Sequence, residues 1–123
     1  MIIDENLQQL ELPLLLNKLK ELIRTPYGDL HLQQIEYITS PEILELTISE
    51  VTEMVGLMES GYGIPISEAD DIRPYLDRLK PQDAFLEAKE ITQIRSYLHT
   101  SAELAHFIKS NSDKCPNLVP YAE

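Results

Sequence analysis

Apolar residues along this chain recur at intervals of three and four, and no alternation of period two persists long enough to propose a strand, so the pattern predicts helices. The clearest run follows Ser40. Leu44, Ile48, Val51, Val55 and Met58 form a seam flanked by Ile43, Met54 and Leu57, which predicts a long helix packing that seam into the domain core. Near the start, Leu15, Leu16, Leu19, Leu22 and Ile23 share one broad face, with Asn17, Lys18 and Glu21 on the other side. Toward the end, Ile91, Ile94, Leu98, Ala102, Ala105 and Ile108 make a stripe whose alanines would let another helix approach closely.

Local punctuation sets the boundaries. Asp4 can cap a short first helix through Leu10, and Pro13 opens a second that runs to about Arg24. Thr25-Pro26 and Ser40-Pro41 each place a hydroxyl at the N-cap and a proline at the first helical position, where its missing N–H costs nothing. The helix after Ser40 stops at Gly61-Tyr62-Gly63, and Pro65 prevents its resumption. Asp70 or Asp71 caps a short helix through Lys80 with Pro74 in its first turn, and Pro81 ends it. The last long helix starts at Asp83 or, preferably, Glu87 and reaches about Ser110. After Pro116-Asn117, Leu118 to Glu123 read as the first turn of a further helix. The fold class is therefore all-α, an antiparallel bundle of about five helices.

A chain of 123 residues is long enough to hold a core, and its 43% hydrophobic and 25% charged residues are those of a folded domain. The lone Cys115 has no intrachain partner and fits a reducing compartment; with no basic leader and no apolar run of membrane length, the expectation is a cytoplasmic protein without membrane contact. The net charge of −11 is unevenly spread. From Thr25 to Ile72 there are ten acids and no Lys or Arg, whereas from Arg73 onward seven bases meet seven acids. The acidic stretch should repel a phosphate backbone, so direct nucleic-acid binding is expected to be weak or absent.

Candidate chemistry is thin. His99, Glu103 and His106 could project from adjacent turns of one helix toward a metal, yet no His-Glu-x-x-His pattern exists and ordinary boundary residues explain them better. Gly61-Tyr62-Gly63 lacks the third glycine of a dinucleotide loop and the Gly-Lys-Ser/Thr of an ATPase loop. No serine or cysteine has a context that marks a nucleophile. Arg73, with Asp70 and Asp71 before it and Asp77 one turn after it, is expected to clamp the corner between loop and helix; the alternative is a finger contacting DNA or a partner, which the neighbouring acids would neutralise. No catalytic, cofactor-binding or metal residues are assigned.

One string is distinctive. Asp71-Ile72-Arg73-Pro74 followed by a helical Leu/Arg pattern, together with Leu10-Glu11-Leu12, Thr25-Pro26-Tyr27-Gly28 with Leu32, and Glu90-Ile91, resembles the N-terminal region of the MutS paralogue family, the branch without a mismatch-recognition domain and with a C-terminal Smr nuclease domain. The resemblance implies that Thr25, Gly28, Asp71, Ile72, Arg73 and Pro74 form a structural motif, and that residues 1–123 are the first part of a helical core or lever region of a larger, homodimeric ATPase and endonuclease. That parent would act in DNA repair and recombination control on branched DNA, or in ribosome rescue. ATP, Mg and the catalytic residues would lie beyond Glu123, and this fragment would itself be no enzyme. Its partners would be other domains of the same chain, and it would be incomplete as a folding unit. Two departures, Ser67-Glu68 and Pro81-Gln82 where the family commonly has glycines, put the turn geometry there in question. The alternative is a free-standing acidic helical adaptor that binds a basic protein through the Leu44-to-Met58 seam.

Overall fold

The computed structural model describes residues 11–61, 63–66, 69–81 and 83–123. The expected first helix from Asp4 to Leu10 lies outside them, as do Tyr62, Ser67-Glu68 and Gln82. The chain is all-α. Its helices are α1 (Leu12–Leu22), α2 (Pro26–Gln33), α3 (Pro41–Glu59), α4 (Arg73–Arg78) and α5 (Ala88–Ser110), followed by a 3-10 turn at Val119–Ala122. No strand occurs among the described residues. The chain divides into two units that interleave in sequence: residues 1–37 with 68–93, and residues 38–67 with 94–123.

In the first unit, Thr25 is extended and its hydroxyl accepts the Gly28 N–H at 3.2 Å, the cap that the Thr-Pro pair predicts for α2. Gly28 is there for space: a Cβ would come within 3.1 Å of the Ile23 side chain. Helix α1 ends at Leu22 rather than Arg24, because the turn into the α2 cap already holds Ile23 in extended geometry. Lys20 on α1 lies 3.7 Å from Asp29 on α2. Helix α4 corrects the expected cap. It runs only from Arg73 to Arg78, and the residue at its N-cap is Ile72, whose side chain can cap nothing. Asp71 sits one position too early and spends its carboxylate on Arg73.

In the second unit, Ser40 Oγ accepts the Ile43 N–H at 3.4 Å and opens α3. Gly61 closes it with φ of 78°, the left-handed geometry that glycine takes without strain, and its N–H donates to the Met58 carbonyl. The core of this unit is Leu57, Ile108, Cys115, Leu118 and Ala122, with Met54, Leu104, Ala105, Phe107 and Val119 packed against it. Full burial of Leu57 alone contributes about 1.5–3 kcal/mol. Leu118 to Glu123, expected as the first turn of a further helix, hold a 3-10 turn at Val119–Ala122, and Leu118 and Ala122 join that core.

The predicted seam of α3 is not the core. Leu44, Ile48, Val51, Val55 and Met58 are all exposed, at 44–63% of their full surface, while the helix buries the other side through Leu57 and half-buries Met54. The stripe on α5 divides likewise: Ile108 is buried, whereas Ile91, Leu98 and Ala102 face solvent. On α1, Leu14, Leu15, Leu19 and Leu22 are exposed and Leu16 is half-buried. Among the described residues, no helix is long and apolar enough to cross a membrane.

Candidate functional site

The corner before α4 is where the distinctive sequence strings meet. Asp71 is held close to its neighbour Arg73 by the turn, so one carboxylate oxygen accepts the Arg73 backbone N–H at 3.0 Å and its Nε–H at 2.8 Å, and the other accepts Nη2–H at 2.6 Å. This is a two-pronged guanidinium–carboxylate pair, the geometry in which arginine binds a carboxylate best. The Arg73 side-chain hydrogen bonds hold the Asp71 carboxyl below its usual range. The guanidinium also lies over the ring of Tyr27, its carbon 5.1 Å from the centroid. Tyr27 stands between Thr25 and Gly28, whose cap fixes the first turn of α2, so two segments more than forty residues apart in sequence touch through one cation–aromatic contact.

Arg73 does not gather the three acids expected of it. Asp77 pairs with Lys80 at 2.7 Å, and Asp70 accepts from the Gln93 side-chain amide at 2.7 Å. The guanidinium remains partly open to solvent, and Pro74 is exposed while Ile72 is 95% buried, the anchor of the corner.

Gln93 extends the arrangement to the start of α5. Its amide carbonyl accepts the Tyr75 hydroxyl at 2.8 Å, so Asp70, Gln93 and Tyr75 form a chain of hydrogen bonds between the corner, α4 and α5. Arg78 lies over the Tyr75 ring and bonds Glu90. The other Glu90 oxygen accepts the Glu87 N–H at 2.9 Å, one half of a capping box that opens α5. That backbone donor and then Arg78 hold the Glu90 carboxyl below its usual range. Tyr27, Gln93 and Tyr75 were not singled out from sequence; Tyr27 and Tyr75 lie in the recognised strings, and Gln93 carried no local signal.

What this corner can do chemically is hold segments together. Among the described residues it contains no nucleophile beside a base. Four of the chain's ten basic residues, Lys20, Arg73, Arg78 and Lys80, are spent on carboxylates, which leaves no phosphate-binding stripe at the corner. The metal candidate fares no better: His99 Nε2 lies 3.5 Å from Glu103 on an exposed face, and no group of three or more metal-binding side chains converges among the described residues. Beside the corner, Arg78, Pro81, Asp83, Ala84, Phe85, Glu87 and Glu90 line an open depression that holds charges of both signs.

In the second unit, two of the acids have internal duties. Glu53 on α3 accepts the backbone N–H of Asn117 at 3.0 Å and of Leu118 at 3.3 Å, and the Asn117 side-chain amide at 2.7 Å. Glu50 accepts the Tyr121 hydroxyl at 2.8 Å, which pushes the Tyr121 pKa up. Cys115 is fully buried, its sulfur 3.2 Å from the Asn111 carbonyl, and burial pushes its thiol pKa up.

The chain is similar to three curated proteins, each named Endonuclease MutS2. It is 28% identical over 108 residues to that of Leuconostoc mesenteroides subsp. mesenteroides, and 26% over 108 residues to that of Leuconostoc citreum. Each match covers 88% of this chain and 13% of the relative. The protein of Latilactobacillus sakei subsp. sakei is 24% identical over 95 residues, 74% of this chain and 12% of its own length. The chain thus spans about an eighth of the length of the relatives it matches. No family model and no solved structure matches it.

Proposed function

We propose that this chain is a non-catalytic, helical N-terminal core or lever domain of a MutS2-type protein. The observation that carries the reading is the asymmetry of the matches: 88% of this chain aligns with only 13% of proteins named as endonucleases, so it corresponds to one small part of such a protein. The corner adds support, because its Asp71–Arg73–Tyr27 contact is a means of fixing helices rather than of doing chemistry. On this reading ATP, Mg and nuclease residues belong to the rest of the parent, which works as a cytoplasmic homodimer on branched DNA or stalled ribosomes. This domain acts by transmitting movement to the other domains of its own chain.

A chimera tests it. The matched segment of the Leuconostoc mesenteroides protein is replaced by this chain, and nuclease and ATPase activities are compared with the parent's. Retention of both is expected, with no turnover by the isolated chain. A chimera that folds but loses both activities sinks the reading, as does ATP hydrolysis or DNA cleavage by the isolated chain.

A further inference from the structure

The outer face of α3 is exposed. Leu44, Ile48, Val51, Val55 and Met58 lie within a narrow arc of the helix and span four turns, all exposed, while Leu57, Glu53 and Glu50 occupy the far side and the half-buried Met54 lies at the margin of the seam. Their exposed apolar surface comes to roughly 500 Å², the size of patch that on a monomer is often functional. One edge of the seam carries Glu45 and Glu59, fourteen residues apart with Thr52 midway. Neither carboxylate is in an ion pair among the described residues, and no base occurs between Thr25 and Ile72 to neutralise them. The hydroxyls of Thr47, Ser49 and Thr52 donate to carbonyls of their own helix, at 2.8–2.9 Å, and so offer no donor to a partner.

We propose that this face is a docking site for a basic amphipathic helix of a protein partner. The occupant needs an apolar stripe at spacings of three and four over about four turns, and Lys or Arg on one edge about 21 Å apart, the distance that fourteen helical residues span, to meet Glu45 and Glu59. Charge selects against the other occupants. An antiparallel two-fold pairing of two copies would set the Glu45–Glu59 edge against the same edge of the other copy, between chains that each carry −11. The seam is also short of the ~800 Å² per partner that a stable dimer buries. Nucleic acid and anionic membranes meet an acidic rim.

The probe is an 18-residue helical peptide with leucines at the seam's spacing and lysines along both edges, paired with a counterpart bearing glutamates in place of the lysines. Each is titrated against the full chain by fluorescence anisotropy. The lysine peptide should bind in the micromolar range and weaken several-fold when salt is raised from 50 to 300 mM, while the glutamate peptide does not bind. Val51→Lys, at an exposed position and with its circular dichroism spectrum compared with that of the parent chain, should weaken binding at least tenfold. The Glu45→Gln/Glu59→Gln pair should weaken it about fivefold, and Glu42→Gln, on the far side of α3 from the seam, should change nothing. Equal binding of both peptides, no binding of the lysine peptide, or indifference to Val51→Lys overturns the proposal. So does a dimer in sedimentation equilibrium that Val51→Lys dissociates, which would assign the face to a second copy.

Discussion

Leu57 and Val51 stand six residues apart on α3 and are both aliphatic, yet one is 1% exposed and the other 60%. Leu57→Ala should cost about 2–5 kcal/mol, since it removes the centre of a packed cluster and leaves a cavity. Val51→Ala should stay within about 0.5 kcal/mol. Urea denaturation of the two variants measures the contrast, and equal losses would mean that the outer seam is buried after all. Cys115 gives a second test at this scale. Its thiol is harder to ionise in the folded chain than its ordinary value of 9.0, first because it is buried and then because of Glu53 and Asp113. A pKa raised on folding contributes stability that is complete below the unfolded value and is lost as pH climbs through the folded one. Stability should therefore decline from about pH 9 upward, with Tyr121 adding the same sign above its ordinary 10.0. Thiol reagents should label the native chain far more slowly than the unfolded one at pH 8. Fast native labelling would contradict the burial.

At the scale of elements, helix starts were legible where the chemistry is local. Thr25-Pro26 and Ser40-Pro41 carry their own caps, and α2 and α3 begin at those prolines. The face that each helix buries was not legible. The spacing of Leu44 to Met58 describes a stripe on α3, but which side finds a partner depends on residues 108–122, and Leu57 and Met54 offered those residues a second apolar edge. Asp71 misled as to position: it lies one residue before the N-cap, where its carboxylate takes both the first backbone N–H of α4 and the Arg73 guanidinium. Glu53 carried no signal at all, because its partners Asn117 and Leu118 are more than sixty residues away. Glu53→Ala should strand those amides and destabilise the chain by about 1–3 kcal/mol, with Glu53→Gln recovering part of the loss through its remaining carbonyl oxygen. Thermal melts of the two variants decide this, and an unchanged midpoint for Glu53→Ala would show that the turn holds without its acceptor.

For the whole molecule, charge is the feature that sequence conveyed most directly, and the structure sharpens it by pairing Lys20, Arg73, Arg78 and Lys80 with carboxylates. Duplex or branched DNA should bind the isolated chain with a Kd above about 100 µM at physiological salt, at the weak end of non-specific association. Submicromolar binding in an anisotropy titration would contradict that. The division into two units was not legible in advance, because neither is continuous: each is assembled from two separate stretches of sequence. That interleaving governs how the chain can be made. During synthesis, α3 leaves the ribosome complete, but Leu57 has nothing to bury against until Ile108, Cys115, Leu118 and Ala122 follow. At ordinary elongation rates that wait is about 3–13 s, far longer than a helix needs to form. For those seconds α3 shows apolar side chains on both of its faces, and the nascent chain is a client for whatever guards the exit tunnel.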